Sequence, residues 1–170
     1  MKSLSLVLCV LFAASAAMAQ TAPQKSFDQM KALSGGWEGK NTQGQPVLVT
    51  FRDTAGGSAL MSEIHGHGPE DMISMIHLDG PNRLMLTHYC GSGNQPRMTA
   101  TTSPDGKTIT FDFLDATNLG TPDAGHMRRV VFTIMDANHH TEEWTFAAGQ
   151  GKEMKEVFEL HRTEVANNSK

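Results

Sequence analysis

At 170 residues, with 39% of them hydrophobic, the chain has room for one domain with a buried core. The formal net charge is -4 and no cluster of Lys or Arg emerges, which excludes nucleic acid as the expected partner. No Gly-x-Ser-x-Gly elbow, phosphate-cradling glycine loop or His-Glu-x-x-His pattern is present, so no catalytic residue is assigned and an enzyme is not the expected class.

Residues 1–19 read as an export signal. Lys2 supplies the charged start, residues 4–14 an apolar run, and Ala17-Met18-Ala19 a small-x-small cleavage site before Gln20. The run is too short to anchor in a bilayer, so a periplasmic or secreted chain without a membrane anchor is expected. Cleavage removes Lys2 and no acid, which moves the formal charge from -4 to -5. It also removes Cys9 and leaves Cys90 alone, without a partner for an internal disulfide.

Residues 20–25 read as a flexible leader, and residues 26–165 as the folded domain. Ser26 is placed to cap a short helix through Leu33, with Phe27, Met30 and Leu33 on one face. The glycine pair Gly35-Gly36 then turns the chain, and Trp37 is read as an indole that plugs one end of a closed sheet. From there the period is 2, with strands predicted at 37–41, 47–52, 58–64, 72–78, 84–90, 97–102, 108–114, 127–135, 141–146 and 154–162. Short turns such as Asp79-Gly80-Pro81-Asn82 and Pro104-Asp105-Gly106 join them. The one long interruption is 115–125, a lid or a plain loop. Sequential hairpins at this spacing argue for an all-β fold: an up-and-down antiparallel β-barrel of about ten strands with a short N-terminal helix.

Alternation assigns faces. Leu84 and Leu86 share one with His88 and Cys90, while Phe111 and Phe113 mark the inner face of a later strand; Trp144 and Phe158 join them as lining. His88, Cys90, Asn94, Gln95 and Arg97 form the leading candidate site, at a strand end that runs into a glycine loop and can aim polar groups at a barrel mouth. The competing reading makes His88 a hydrogen-bonded core residue and lets Asn94 and Gln95 satisfy their own loop. Glu63-x-His65-x-His67 places three ligating side chains on one strand face, a spacing that a divalent metal can use, set against an exposed turn. His139 and His140 are adjacent and so point to opposite faces, a poor chelate. Methionines on predicted strands, among them Met72 and Met127, suit a cavity that adapts to an apolar guest and fill ordinary cores equally well.

With Gly35-x-Trp37 after a short helix, and ten strands in a meander, the chain resembles the calycin group: lipocalins, fatty-acid-binding proteins and nitrobindin-like barrels. The block from Leu86 through Cys90 to Met98 is also similar to a segment of uncharacterised exported bacterial proteins. The nitrobindin-like resemblance implies haem on a histidine near the C-terminus. The nearest match is His161, which alternation places on the outer face, opposite Phe158 and Leu160.

The function expected is a barrel, monomeric or dimeric, that holds a small apolar or amphipathic molecule without a cofactor. Trp37 would close its base, Leu84, Leu86, Phe111, Phe113, Trp144 and Phe158 would line it, and His88, Asn94, Gln95 and Arg97 would sit near its mouth. The alternative is a haem- or metal-binding protein using His65, His67 and either Glu63 or His88.

Overall fold

The computed structural model describes residues 20–65 and 71–163; the proposed export signal and His67 lie outside the described residues. Helix α1 (Ala22–Lys31) leads into ten strands: β1 (Gly35–Lys40), β2 (Pro46–Thr54), β3 (Ala59–His65), β4 (Met72–Asp79), β5 (Arg83–Tyr89), β6 (Gln95–Thr102), β7 (Thr108–Thr117), β8 (His126–Ile134), β9 (His139–Gly149) and β10 (Lys152–Arg162). Each strand pairs antiparallel with its neighbours in sequence, and β1 pairs with β10, so the sheet is a closed up-and-down barrel. Closure removes the sheet edges that an open meander would expose.

Several predicted boundaries move, and residues 22–25, read as leader, are the first turn of the helix. The helix begins four residues before Ser26, because Thr21 is the residue that caps it: its Oγ1 accepts from the Gln24 amide, and Pro23 sits in the first turn. Ser26 is inside the helix instead, where its hydroxyl meets Ala22 O and, at 2.7 Å, Thr102 Oγ1. The long interruption also shrinks. A bulge between Arg97 and Met98 resets the register, and β7 continues beside β6 as far as Thr117, opposite Gln95.

The closing seam shows why Gly35-x-Trp37 has its composition. Gly35 sits at φ +126°, in a region that favours glycine, and a Cβ there would lie 2.9 Å from Arg162 Nη1. Gly39 lies where β10 crosses closest, and a Cβ there would stand 1.8 Å from the Glu159 carbonyl oxygen. Between them Trp37 is buried; its Nε1–H donates to Leu33 O at 2.7 Å, and the Arg162 guanidinium lies over its ring at 4.3 Å. Arg162 also donates to Ser34 O, Ala32 O and Ala137 O, so the last residue of β10 fastens the helix end, the start of β1 and the β8–β9 turn. Phe27, Met30 and Leu33 pack with Trp37 into the core. The helix end of the barrel is therefore solid.

The seam generates a test. Gly39→Ala is expected to destabilise the protein by at least about 2 kcal/mol, because the colliding atom is backbone and cannot swing away. Gly91→Ala, with open space around its Cβ, is expected to stay within about 0.5 kcal/mol of the parent. Urea unfolding of the three proteins decides it; equal midpoints for Gly39→Ala and the parent would show that the seam tolerates a side chain.

Candidate functional site

At the end opposite the helix the inner side chains do not meet. They leave a cavity of about 450 Å³, a size common for small-molecule sites. Ile64, Met127, Trp144, Phe146 and Phe158 supply apolar wall; Gln43, Gly91, Ser92, Met154, Lys155 and Glu156 lie toward solvent around the β1–β2, β5–β6 and β9–β10 turns.

His88 carries the polar chemistry. Its position follows from period 2 on β5: Leu84, Leu86 and His88 all point inward and all are buried. In register beside it stand Ser74 on β4 and, one strand further, Ser62 on β3, both buried. His88 Nδ1 is 2.9 Å from Ser74 Oγ, and the ring lies 5.0 Å from that of Trp144. Its Nε2 has no hydrogen-bond partner among the described residues, and neither does Ser62 Oγ. An unpaired buried polar atom typically costs about 1–3 kcal/mol, so these two atoms mark a place where a further partner would be stabilising. Burial pushes the His88 pKa down from 6.5 to about 4, and the imidazole is neutral at pH 7.

A second polar group lies deeper, on the inner face of β9. Glu142 Oε2 accepts from Trp144 Nε1–H at 2.9 Å, and Glu142 Oε1 lies 3.1 Å from His140 Nε2; Glu142 and His140 are fully buried. The His140 ring in turn meets the edge of Trp37 at 4.2 Å. Trp144 thus touches the cavity with its ring and the buried carboxylate with its N–H. The sequence places Trp144 inside and gives His139-His140 only as a poor chelate; His140 and Glu142 are not among its inner residues, although alternation from Trp144 puts both on the same face.

The other predicted site residues divide. Trp144, Phe158, His88 and Cys90 line the cavity. Trp37, Leu84, Leu86 and Phe111 are buried in the solid part of the core and are not among its lining. Phe113 is half-buried against the ring of His126, 4.4 Å away. Asn94 is buried but turned to the loop, donating to Gly125 O at 2.8 Å. Gln95 accepts from Thr117 Oγ1, and Arg97 forms a two-point ion pair with Asp115 on the outer surface, so these two stand away from the cavity. The reason is the strand period: with Pro96 and Met98 buried, Gln95 and Arg97 must face out.

Glu63 and His65 lie on the outer side of β3, where His65 Nδ1 is 3.0 Å from Asp71 Oδ2. Among the described residues no group of three His, Cys, Asp or Glu side chains is placed to hold a metal. His161 is on the outer face of β10, 3.3 Å from Glu38 Oε1. His139 pairs with Asp136 outside the barrel while His140 is inside. Several lining residues are not among those the sequence proposes, Ile64 and Ser92 included; of these, Phe146, Met154 and Glu156 are each reachable by alternation from Trp144 or Phe158.

No protein-family model matches the sequence, and no curated protein matches it. Among solved structures, the crystal structure of Rv2717c from M. tuberculosis is similar, with a TM-score of 0.57 and 17% sequence identity, over 85% of this chain and 99% of that one. The likeness shows the class: a ten-stranded closed antiparallel barrel.

Neutral, buried His88 sets a pH test. Its folded-state pKa is below the unfolded value, so its contribution to stability is full above about pH 6.5 and is lost as pH falls toward 4, by roughly 3 kcal/mol in all. His88→Leu removes that component. In urea unfolding at pH 7 and pH 4.5, the parent should lose roughly 2 kcal/mol or more beyond the loss of His88→Leu; equal losses would show that His88 is not buried as described.

Proposed function

We propose that this barrel binds a small apolar or amphipathic molecule in the cavity opposite α1, after export, as the calycin-like reading of its sequence expects. One observation carries the reading. A cavity of about 450 Å³, walled by apolar side chains, has a fully buried imidazole with an unpartnered nitrogen among its lining. Apolar walls supply affinity and a single polar group supplies orientation, which is how small-molecule sites are commonly built. Met72, Met127 and Met154 add flexible thioethers that adjust to the shape of a guest. The helix end is packed, so entry runs past the turns at the other end.

The test is a titration with Nile red, a neutral apolar dye, read by its emission and by native mass spectrometry of the complex. One dye per chain is expected, with quenching of tryptophan emission that is reduced in Trp144→Phe, since Trp144 lines the cavity and Trp37 does not. No emission change and no added mass would remove the proposal.

A second reading has one observation behind it. A neutral imidazole with a free Nε2 in an apolar cavity is also what a haem iron takes as a ligand, and His88 fits that role. His161 does not fit it, being turned outward against Glu38. Haemin added to the purified protein should then give a Soret band that His88→Leu loses and His161→Leu keeps; no band in the parent would exclude haem.

A further inference from the structure

The polar row beside the cavity has a chemical preference. Resting on the reading that the cavity takes a guest, we propose that the guest has an uncharged hydrogen-bonding head, such as an alcohol, ketone or amide, seated on His88 Nε2 with its chain toward the mouth. Free carboxylic acids are rejected by the same site.

The argument starts from what faces inward. Ser62, Ser74 and His88 stand in register on three neighbouring strands, all buried. Only one link among them is made, Ser74 Oγ to His88 Nδ1. His88 Nε2 and Ser62 Oγ have no protein partner among the described residues. The Ser74 hydroxyl can donate to Nδ1 or accept from it, and its choice sets whether Nε2 accepts or donates. The same nitrogen therefore serves a hydroxyl head as acceptor and a carbonyl head as donor.

Charge narrows the class. None of the described lysines or arginines is buried, and residues 66–70 contain neither. The one cation in the described lining, Lys155, is exposed and paired with Glu143 on the outer side, 2.7 Å away. The other charged residue of the lining, Glu156, carries a carboxylate itself. An ionised carboxyl head at His88 would be buried among apolar walls without a counter-charge, which is far costlier than burying a hydrogen-bonded neutral head. Arg97, which the sequence groups with His88, is held outside by Asp115 and offers the cavity no guanidinium. An alkylammonium head seated on His88 finds no free counter-charge there, because the neutral imidazole offers only a lone pair and the Glu156 carboxylate is already engaged.

The experiment displaces bound Nile red at pH 7 with decanol, decanamide, decylamine and decanoate, four heads on one chain. Decanol and decanamide are expected to displace it at concentrations at least tenfold lower than decanoate or decylamine. In His88→Leu the advantage of decanol should shrink about tenfold while Nile red still binds; Ser74→Ala, which leaves the ring in place, should weaken decanol less. Decanoate or decylamine displacing as well as decanol from the parent would overturn this inference and leave the cavity reading standing. Failure of Nile red and of every decyl compound to bind would remove the cavity reading and this inference with it.

Discussion

The fold depends on one closure. A meander of ten antiparallel strands leaves two free edges, and both disappear only if the first strand reaches the last. Here they meet from Trp37↔Arg162 to Lys40↔Glu159, and the approach is close enough that Gly39 has no room for a Cβ. Arg162 then secures the junction: its guanidinium covers the Trp37 ring and donates to three carbonyls on two segments, the α1–β1 link and the β8–β9 turn. A planar fork with five donors can do this, and an ammonium could not hold the same geometry. Helix, seam and plug form one unit.

Plugging one end divides the interior. Near the helix, Trp37, Phe51, Phe111 and Phe132 interlock with His140, and that half is packed. Toward the other end the inner side chains do not fill the barrel, and the cavity forms there. Trp144 stands between the halves, its ring facing the cavity and its N–H bound to Glu142. That hydrogen bond, with Glu142 in turn beside His140, holds the indole in one orientation, so the cavity wall beside His88 is fixed by buried polar contacts as well as by packing.

The exterior is organised on a different basis. Arg97–Asp115, Arg129–Asp112, Arg128–Glu153 and Lys155–Glu143 pair across strands on the outer face. Exposed pairs of this kind contribute little stability each. Their consequence for the site is that the cations beside the mouth are engaged outside, and the inner surface is left to neutral and acidic groups. A fatty-acid carboxylate would need one of those cations turned inward, and the strand period opposes that turn.

Much of this was legible in the chain. Period 2 after Trp37, broken by short turns, marked all ten strands, because most inner positions are apolar where a single sheet encloses a core. The inward face of Leu84, Leu86 and His88 was readable from the same rule, as was the outward face of His161. Other features needed the three-dimensional structure. Cross-strand register brought Ser62, Ser74 and His88 into one row from positions far apart in sequence, and no local pattern encodes that alignment. Asn94, Gln95 and Arg97 followed the loop and the strand period outward or onto backbone, although their sequence neighbourhood had grouped them with His88. Alternation along the chain settles which side of the sheet a residue occupies. Where the closed sheet is filled and where it is hollow is settled by how far apart the opposite walls stand, a distance that exists only once the barrel has closed.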